Sequence, residues 1–371
     1  MKISRIELYQ MPVPLKEPFV ISLGAFDHAD NVVVVIRTDN GLRGFGECSP
    51  FRSINGESLE TCMIVGRYLA EGLLGQDPEN IEACAARMDR IIYANSSIKS
   101  AFDIALYDIA SQNAELPLYT FLGGRKDKDL VTDYTVSLGE KHKMVSDALL
   151  VRERGFQVIK VKLGESGYQD VERIRLIREA VGKDIPIRID ANQGWDPETA
   201  VAALKAMESF NIQHCEEPIP RWNFMELAGV RKRSPIPIMA DESCCDHHDA
   251  KRLIDLAACD LLNVKLGKSA GIFNALKIVR LAEKAGMKIQ VGGFLESRLA
   301  FTASAHLALS SDSIIHCDFD TPLMFTEDSV SGGIIYDKQG VVTVPDTIGL
   351  GAFIDDQKLQ KLSKIVINAL K

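Results

Sequence analysis

The sequence lacks the features that mark membrane, secreted and zinc-stapled proteins. No apolar run among its 371 residues approaches the roughly 20 residues that cross a bilayer. The amino-terminal stretch alternates polar and apolar residues and has no signal-peptide core, so we expect a cytoplasmic protein with no membrane partner. The eight cysteines contain no C-x-x-C pair, which argues against structural zinc and indicates reduced thiols rather than a disulfide framework.

The chain also has fewer basic than acidic residues. Lysine and arginine number 43 against 51 acidic residues, which gives a formal net charge of −8 and argues against nucleic acid as a partner. No G-x-G-x-x-G motif follows the first strand, so the signature of an open dinucleotide-binding sheet is missing. The length is too great for one ordinary small domain and suits a large barrel or two domains.

The first third of the chain predicts a small α+β unit, residues 1–125. The β-rich run 31–37 is followed by Asp39-Asn40-Gly41, a strong hairpin signal, and by a second strand over 42–47. From about 58 to 113 the pattern becomes helical, because apolar residues recur at helical spacing along one face.

A strand–helix rhythm then predicts a parallel barrel over residues 126–335. Short apolar strands are expected near 132–138, 157–162, 186–190, 213–216, 237–241, 261–265, 288–292 and 314–318. Eight such strands with helix-length spacers favour a parallel barrel, and a doubly wound sheet is the structural alternative. The tail, 336–371, contains a strand-like segment at 341–344 and a predicted final helix, and we expect it to return to the first unit.

Charged residues interrupt these apolar strands at their carboxyl ends. Asp190, Glu216, Asp241 and Lys265 follow one another at steps of 26, 25 and 24 residues, about one βα unit, so they should occupy equivalent places on neighbouring strands. In a barrel that place is the rim where active sites are built. Three adjacent carboxylates repel one another unless a cation binds, and oxygen ligands favour Mg²⁺ over Zn²⁺.

Two lysines complete the constellation. Lys162 ends the second barrel strand and Lys265 ends the sixth, so in a ring of eight they face each other across the barrel. Two bases on opposite sides of a carbon can remove a proton from one face and return it to the other, as racemases and epimerases require. Lys160 points the same way as Lys162 and is expected to act as a neighbouring cation or to hold a substrate carboxylate.

The ordered motifs resemble the enolase superfamily, specifically its muconate-lactonising subgroup. They are Pro117-Leu118-Tyr119, Leu122-Gly123-Gly124, Lys160-Val161-Lys162, Asp190-Ala191-Asn192, Glu216-Glu217-Pro218, Asp241-Glu242-Ser243 and Lys265. The resemblance implies a modified (β/α)₇β barrel, a TIM-barrel variant, with an N-terminal α+β capping domain. It also implies one Mg²⁺ per subunit at Asp190, Glu216 and Asp241, holding a substrate carboxylate as its α-proton leaves. We further expect a homo-oligomer.

Residues at the end of the last predicted barrel strand narrow the set of possible reactions. Asp318-Phe319-Asp320 resembles the Asp-x-Asp motif of dipeptide epimerases, in which two carboxylates opposite the metal form a receptor for an ammonium group. A dipeptide carries an anionic and a cationic end, whereas muconate-type substrates carry no ammonium group. By the same resemblance, Thr135 is a substrate contact, and backbone groups of Gly293 and Leu295 after strand seven are expected to touch the peptide.

One departure from that family concerns specificity. Members that prefer glutamate carry an arginine near Gly24, and the loop 21–26 is here apolar, so a small or hydrophobic second residue is expected. An Ala-Glu epimerase remains the alternative, as do an o-succinylbenzoate synthase or cycloisomerase-type lyase and a non-catalytic metal-dependent binding protein.

Glu47, in a recurrent Gly-Glu-x-x-Pro stretch, is interpreted as structural support between the first unit and the barrel.

Overall fold

A computed structural model describes residues 1–369, so the last two residues of the predicted 336–371 tail lie outside it. The strands are β1 (Ile3–Ile21), β2 (Gly24–Thr38), β3 (Arg43–Cys48), β4 (Leu130–Val131), β5 (Tyr134–Val136), β6 (Ile159–Lys162), β7 (Ile187–Asp190), β8 (Ile212–Glu216), β9 (Ile238–Ala240), β10 (Leu261–Lys265), β11 (Lys288–Gly292), β12 (Ile314–Cys317), β13 (Val330–Gly332), β14 (Ile335–Tyr336), β15 (Val341–Thr343), β16 (Ala352–Ile354) and β17 (Lys364–Asn368).

The helices alternate with these strands through the second part of the chain. They are α1 (Leu59–Leu73), α2 (Ile81–Ile91), α3 (Ser96–Asn113), α4 (Leu118–Phe121), α5 (Lys141–Glu153), α6 (Gly167–Val181), α7 (Pro197–Ala206), α8 (Phe224–Arg233), α9 (His247–Asp255), α10 (Leu266–Ser269), α11 (Ile272–Ala285), α12 (Arg298–Ala308) and α13 (Asp356–Leu359). Within residues 1–369, none of them combines the length and the apolarity needed to cross a membrane.

An antiparallel sheet in the order β17-β1-β2-β3 joins both ends of the chain. We call this sheet with helices α1–α3 the cap. Residues 39–41 form the predicted turn between β2 and β3. The predicted final helix is wrong: after the four-residue α13, the tail forms strand β17, whose register pairs Arg5 with Asn368 and Tyr9 with Lys364. The β-branched run Ile365-Val366-Ile367 suits this half-buried edge position.

Eight parallel strands, β5 to β12, form the barrel. Each strand pairs with its sequence neighbour, and a bridge between Thr132 and Cys317 brings the two ends of the sheet together. That bridge closes the ring and distinguishes it from an open doubly wound sheet. A helix follows each of the first seven strands, whereas β12 leads into a 3₁₀ helix at Thr321–Met324. The fold is the predicted (β/α)₇β barrel with an N-terminal α+β unit.

Buried carboxylates of the cap accept hydrogen bonds from the backbone N–H groups at the amino termini of two barrel helices. Glu47 on β3 accepts hydrogen bonds from the backbone N–H groups of Ser297 (2.9 Å) and Ala300 (3.0 Å) at the start of α12. Asp103 on α3 accepts from Ile272 and Phe273 at the start of α11. Such contacts satisfy otherwise unpaired N–H groups and place negative charge at the positive end of each helix. The interpretation of Glu47 as structural support is thereby confirmed.

Glycine allows β3 to approach the buried helix α3 closely. A Cβ atom at Gly46 would collide with the carbonyl oxygen of Ala101, and one at Gly44 with that of Ala105. Both obstacles are backbone atoms of a helix that is buried over nearly its whole length, so neither can move aside. The sequence pattern Gly44-Phe45-Gly46 therefore fixes the distance between sheet and helix in the cap.

We expect Gly46→Ala to lower the free energy of unfolding by about 1–3 kcal/mol, the usual cost of forcing extra atoms into a packed interior. Gly229→Ala is the matched control, because the added Cβ on helix α8 would meet nothing closer than 3.9 Å. That control should be neutral or raise stability by about 0.5–1 kcal/mol. Urea unfolding followed by circular dichroism measures both, and equal stability of the two variants would contradict the close-approach argument.

Candidate active site

A cavity lies between the carboxyl ends of the barrel strands and the cap. We call it the catalytic cavity. Among the residues predicted from sequence, the barrel contributes Thr135, Lys162, Lys265, Gly293, Asp318 and Asp320 to its wall. The cap contributes an apolar roof formed by Phe19, Ile21, Phe51 and Ile54. The cavity is therefore polar on the barrel side and apolar on the cap side.

The three predicted metal ligands lie side by side below this cavity. Asp190 and Glu216 are register partners on β7 and β8, and Asp241 directly follows β9. All three are fully buried. Each faces an ammonium group: Lys162 Nζ lies 2.7 Å from Asp190 Oδ2, Lys160 Nζ lies 2.8 Å from Glu216 Oε2, and Lys265 Nζ lies 2.8 Å from Asp241 Oδ2.

The pKa values of these groups follow from burial and from the lysines. Burial alone would raise the pKa of Asp190, but the charges of Lys162 and Lys160 lower it below its usual value. The pKa of Asp241 is likewise lowered, since Lys265 and Lys268 outweigh burial. Burial and the neighbouring Asp190 charge raise the pKa of Glu216 to about 7. The cluster thus holds more negative charge than burial alone would allow.

The donor set fits a hard divalent cation. Both carboxylate oxygens of Asp241 are buried and make no hydrogen bond, although ammonium groups lie close to them. Amide groups orient the middle ligand, because Asn263 donates to Glu216 Oε1 (2.8 Å) and Gln290 donates to Glu216 Oε2 (3.2 Å). Three carboxylates held in this way offer the oxygen ligands that Mg²⁺ prefers.

A second group of carboxylates is distinct from this cluster. Ligand oxygens of Asp133, Asp318 and Asp320 lie within 4.8 Å of one another. Each has a partner, as each carboxylate of the first cluster does: Arg188 contacts Asp133 (2.7 Å), Lys160 contacts Asp318 (2.8 Å), and the Thr135 N–H contacts Asp320 (2.6 Å). The assignment of the cation to the ends of β7, β8 and β9 stays a prediction from the sequence.

The two predicted bases approach the cavity from opposite sides. Lys162 ends β6 and Lys265 ends β10, four strands apart in the barrel order. The Lys162 ammonium lies 5.7 Å from the ring centre of Phe19, and the Lys265 ammonium lies 5.2 Å from that of Phe294. Both lysines are only 4–5% exposed, so the cap shields them from bulk water.

Lys160 lies beneath the cavity and does not line it. Its ammonium group contacts Asp318, Glu216 and, at 3.2 Å, Asp190. Burial would lower its pKa, but these three carboxylates raise it well above the usual value. Of the two predicted roles for Lys160, this geometry supports the neighbouring cation, since the ammonium is already surrounded by carboxylates.

Asp318 and Asp320, which we call the ammonium receptor after their predicted role, differ in the direction in which their pKa values are shifted. Burial would raise the pKa of Asp318, but Lys160 and Lys162 lower it well below the usual range. Burial and the charge of Asp318 raise the pKa of Asp320 to about 7. The receptor thus holds one firm negative charge and a second that an incoming cation would stabilise.

The two predicted backbone contacts after β11 differ in position. Gly293 lines the cavity, and a Cβ atom there would meet the Phe301 ring and the Glu296 carboxylate. The carbonyl oxygen of Leu295 instead accepts a hydrogen bond from Asn31 of the cap at 2.9 Å, and Leu295 does not line the cavity as the structure describes it.

Sequence reasoning pointed to the apolar loop that contains Ile21 but missed the rest of the roof and a fourth buried lysine. Phe19, Phe51 and Ile54 come from a strand and a loop of the cap that carry no motif. Lys268 lies 2.5 Å from Asp241 Oδ1 and also donates to the carbonyl oxygen of Asn263 at 3.0 Å. Its position, three residues after Lys265 and one helical turn into α10, was the available signal.

Comparison with known proteins agrees with this architecture. Residues 5–123 match the model of the mandelate racemase/muconate lactonizing enzyme N-terminal domain, and residues 143–358 match that of the enolase C-terminal domain-like family. A D-Ala-D/L-Ala epimerase of Cytophaga hutchinsonii is 59% identical, over 99% of this chain and all of that protein. An L-Ala-D/L-Glu epimerase of Clostridium acetobutylicum is 39% identical, over 95% of this chain and 98% of that protein.

A solved structure matches almost the whole model. The crystal structure of the dipeptide epimerase from Cytophaga hutchinsonii, complexed with Mg and the dipeptide D-Ala-L-Val, superposes with a TM-score of 0.99 over 99% of this chain and all of that one, at 59% identity. Together with the two domain matches, this similarity shows that the chain belongs to the mandelate racemase/muconate lactonizing enzyme family of the enolase superfamily.

Proposed function

We propose that this protein is a dipeptide epimerase that inverts the α-carbon of the second residue of a dipeptide by a two-base 1,1-proton transfer. The observation that carries the proposal is the placement of Lys162 and Lys265 on opposite walls of one cavity, with the carboxylates Asp318 and Asp320 beside them. The related D-Ala-D/L-Ala and L-Ala-D/L-Glu epimerases support the same reaction type.

Asp190, Glu216 and Asp241 would hold one Mg²⁺ per subunit. Bound there, the ion would supply the positive charge that stabilises the negative charge developing on the substrate carboxylate as the α-proton leaves. Asn263 and Gln290 keep Glu216 oriented. Glu242 accepts a hydrogen bond from Asn192 at 3.2 Å and so helps to orient that side chain.

The lysines move the proton. One of Lys162 and Lys265 accepts the α-proton, and the other, from the opposite face, returns a proton to the carbon. Each serves as the base for one stereoisomer. Lys160 keeps a fixed positive charge beside them, because Glu216, Asp318 and Asp190 surround its ammonium group. The cap excludes water, so the proton is exchanged with a lysine and less readily with solvent.

The ammonium receptor fixes the other end of the substrate. Asp318 is ionised, and binding of the dipeptide ammonium group stabilises the ionised form of Asp320. Thr135 keeps Asp320 in place through its backbone N–H. With both charged ends held, the α-carbon of the second residue lies between the two lysines.

The apolar roof favours a small or hydrophobic second residue. Phe26 packs against Phe51 with ring centres 4.5 Å apart, and Phe51 packs against Phe294 at 5.4 Å. Arg298 is not available to pair with a glutamate side chain, because it is bound by Asp328 and by the backbone carbonyl groups of Ile334 and Val330. Arg52 is exposed to solvent and does not line the cavity as the structure describes it.

The ammonium receptor and the apolar roof also distinguish the proposed function from the alternative functions. A lyase or cycloisomerase acting on muconate-type substrates has no use for an ammonium receptor. An Ala-Glu epimerase needs a cation near the second side chain, where this cavity presents aromatic and aliphatic groups. We also propose that the enzyme acts in the cytoplasm as a homo-oligomer.

The first prediction concerns the metal. EDTA should abolish epimerisation and Mg²⁺ should restore it, because the three carboxylates bind the ion that the reaction uses. Asp241→Asn should weaken Mg²⁺ binding by roughly 10- to 100-fold in calorimetry, whereas Asp255→Asn, at a surface ion pair with Lys251, should leave it unchanged. Full activity in exhaustively chelated protein would refute this assignment.

The second prediction concerns the two faces. In D₂O, Lys162→Ala and Lys265→Ala should each lose epimerisation by roughly 10²-fold or more. Each variant should still exchange the α-proton of the isomer that faces the surviving lysine, which mass spectrometry detects. Lys277→Ala, at a half-buried α11 position above Phe273, is the control. Near wild-type interconversion of both isomers by either variant would exclude the two-base mechanism.

The third prediction concerns specificity. Ala-Val and Ala-Ala should be turned over better than Ala-Glu, since burying an unpaired carboxylate costs about 1–3 kcal/mol, or roughly 5- to 150-fold in kcat/KM. Gly24 lies at φ +144°, which disfavours arginine there, so Ile54→Arg in the roof is the better test. It should raise the relative activity on Ala-Glu, and Ile54→Gln should not. A wild-type preference for Ala-Glu would show the specificity to be wrong.

A further inference from the structure

The backbone of Phe319, the residue between the two carboxylates of the ammonium receptor, is held at both its N–H and its C=O group. The backbone N–H of Phe319 donates to the Thr132 hydroxyl at 2.8 Å. The carbonyl oxygen of Phe319 accepts a hydrogen bond from the Tyr336 hydroxyl at 2.6 Å. The Phe319 side chain is fully buried and packs against Phe301, with ring centres 5.4 Å apart. Both backbone polar groups of this residue are thus paired with side chains.

Both side chains come from one small sheet outside the barrel. Its strand order is β14-β15-β4, and we call it the tail sheet. Thr132 directly follows β4, and its N–H donates to the Gly340 carbonyl at 2.9 Å. Tyr336 is the last residue of β14. The tail sheet therefore connects the entrance of the first barrel strand with the exit of the eighth.

We propose that Tyr336 and Thr132 are positioning residues that set the spacing and direction of Asp318 and Asp320, and so the preference for substrates with a free amino group. This inference rests on the proposed function. Asp318 is fixed at its carboxylate by Lys160, and Asp320 by the Thr135 N–H. The backbone at Phe319 could still rotate and change how the two carboxylates are oriented. The hydroxyl groups of Thr132 and Tyr336 prevent that rotation.

The hydroxyl group of Tyr336 is suited to act as a permanent hydrogen-bond donor. Burial, followed by the charge of Asp320, raises the pKa of Tyr336 well above the usual value. The hydroxyl therefore stays protonated throughout the pH range in which the protein works. Without it, the Phe319 carbonyl would be buried with no partner, and the peptide would turn to find one.

The experiment compares the affinity for a dipeptide with that for the same molecule without its ammonium group. L-Alanyl-DL-alanine and propanoyl-DL-alanine are titrated by calorimetry into the Mg²⁺-loaded wild-type protein and its variants. The wild type should prefer the dipeptide. Tyr336→Phe should reduce the ratio of the two affinities by roughly fivefold or more. Tyr119→Phe is the matched control, since its hydroxyl donates to Asp346 at the same 2.6 Å distance but away from the cavity.

A second pair of variants separates positioning from general stability. Thr132→Val should reduce the ratio as Tyr336→Phe does, and Thr132→Ser, which keeps the hydroxyl, should preserve it. A loss of affinity that is equal for both ligands would indicate a merely structural role and overturn the inference, as would an unchanged ratio in Tyr336→Phe. Failure of the proposed function is a separate outcome, namely no deuterium at the dipeptide α-carbon when the wild type is incubated in D₂O.

Discussion

Buried charge balance at the carboxyl ends of the barrel strands is the constraint on which the rest of the site depends. Asp190, Glu216 and Asp241 occupy neighbouring strands with almost no access to water, and four buried lysines compensate them. Neither set would be tolerated without the other, because an isolated buried charge costs several kcal/mol. The polar interior of this barrel is therefore a single electrostatic unit, and removing one charge changes the pKa of every neighbour.

This arrangement gives the lysines different tasks although their chemistry is the same. Lys160 and Lys268 are surrounded by carboxylate or carbonyl oxygens and lie below the cavity wall, so they act as fixed positive charges. Lys162 and Lys265 line the cavity, each with one carboxylate partner and one aromatic face. The number of acceptors around each ammonium group, and not the residue type, separates the proposed bases from the supporting cations.

The sequence predicted the barrel and its reactive rim better than the surroundings. Charged residues at steps of one βα unit mark equivalent places on successive strands, so Asp190, Glu216 and Asp241 could be placed together before any coordinates. Most of the roof could not be predicted from the sequence, because Phe51 and Ile54 belong to an irregular loop whose path depends on the cap as a whole. The tail strand β17 was mistaken for a helix, since its partner β1 is more than 350 residues away in the chain and local propensity does not register such pairing.

The pairing of β17 with β1 also affects how the chain reaches this structure. The ribosome makes β17 more than 350 residues after the residues of β1 whose edge it covers. Until β17 has been made, β1 exposes a row of unpaired backbone groups beside a strongly β-forming partner, β2. An open edge of this kind invites pairing with other chains. The alternating charged residues Arg5 and Glu7 on that edge, together with Pro12 and Pro14 further along it, oppose such association during translation.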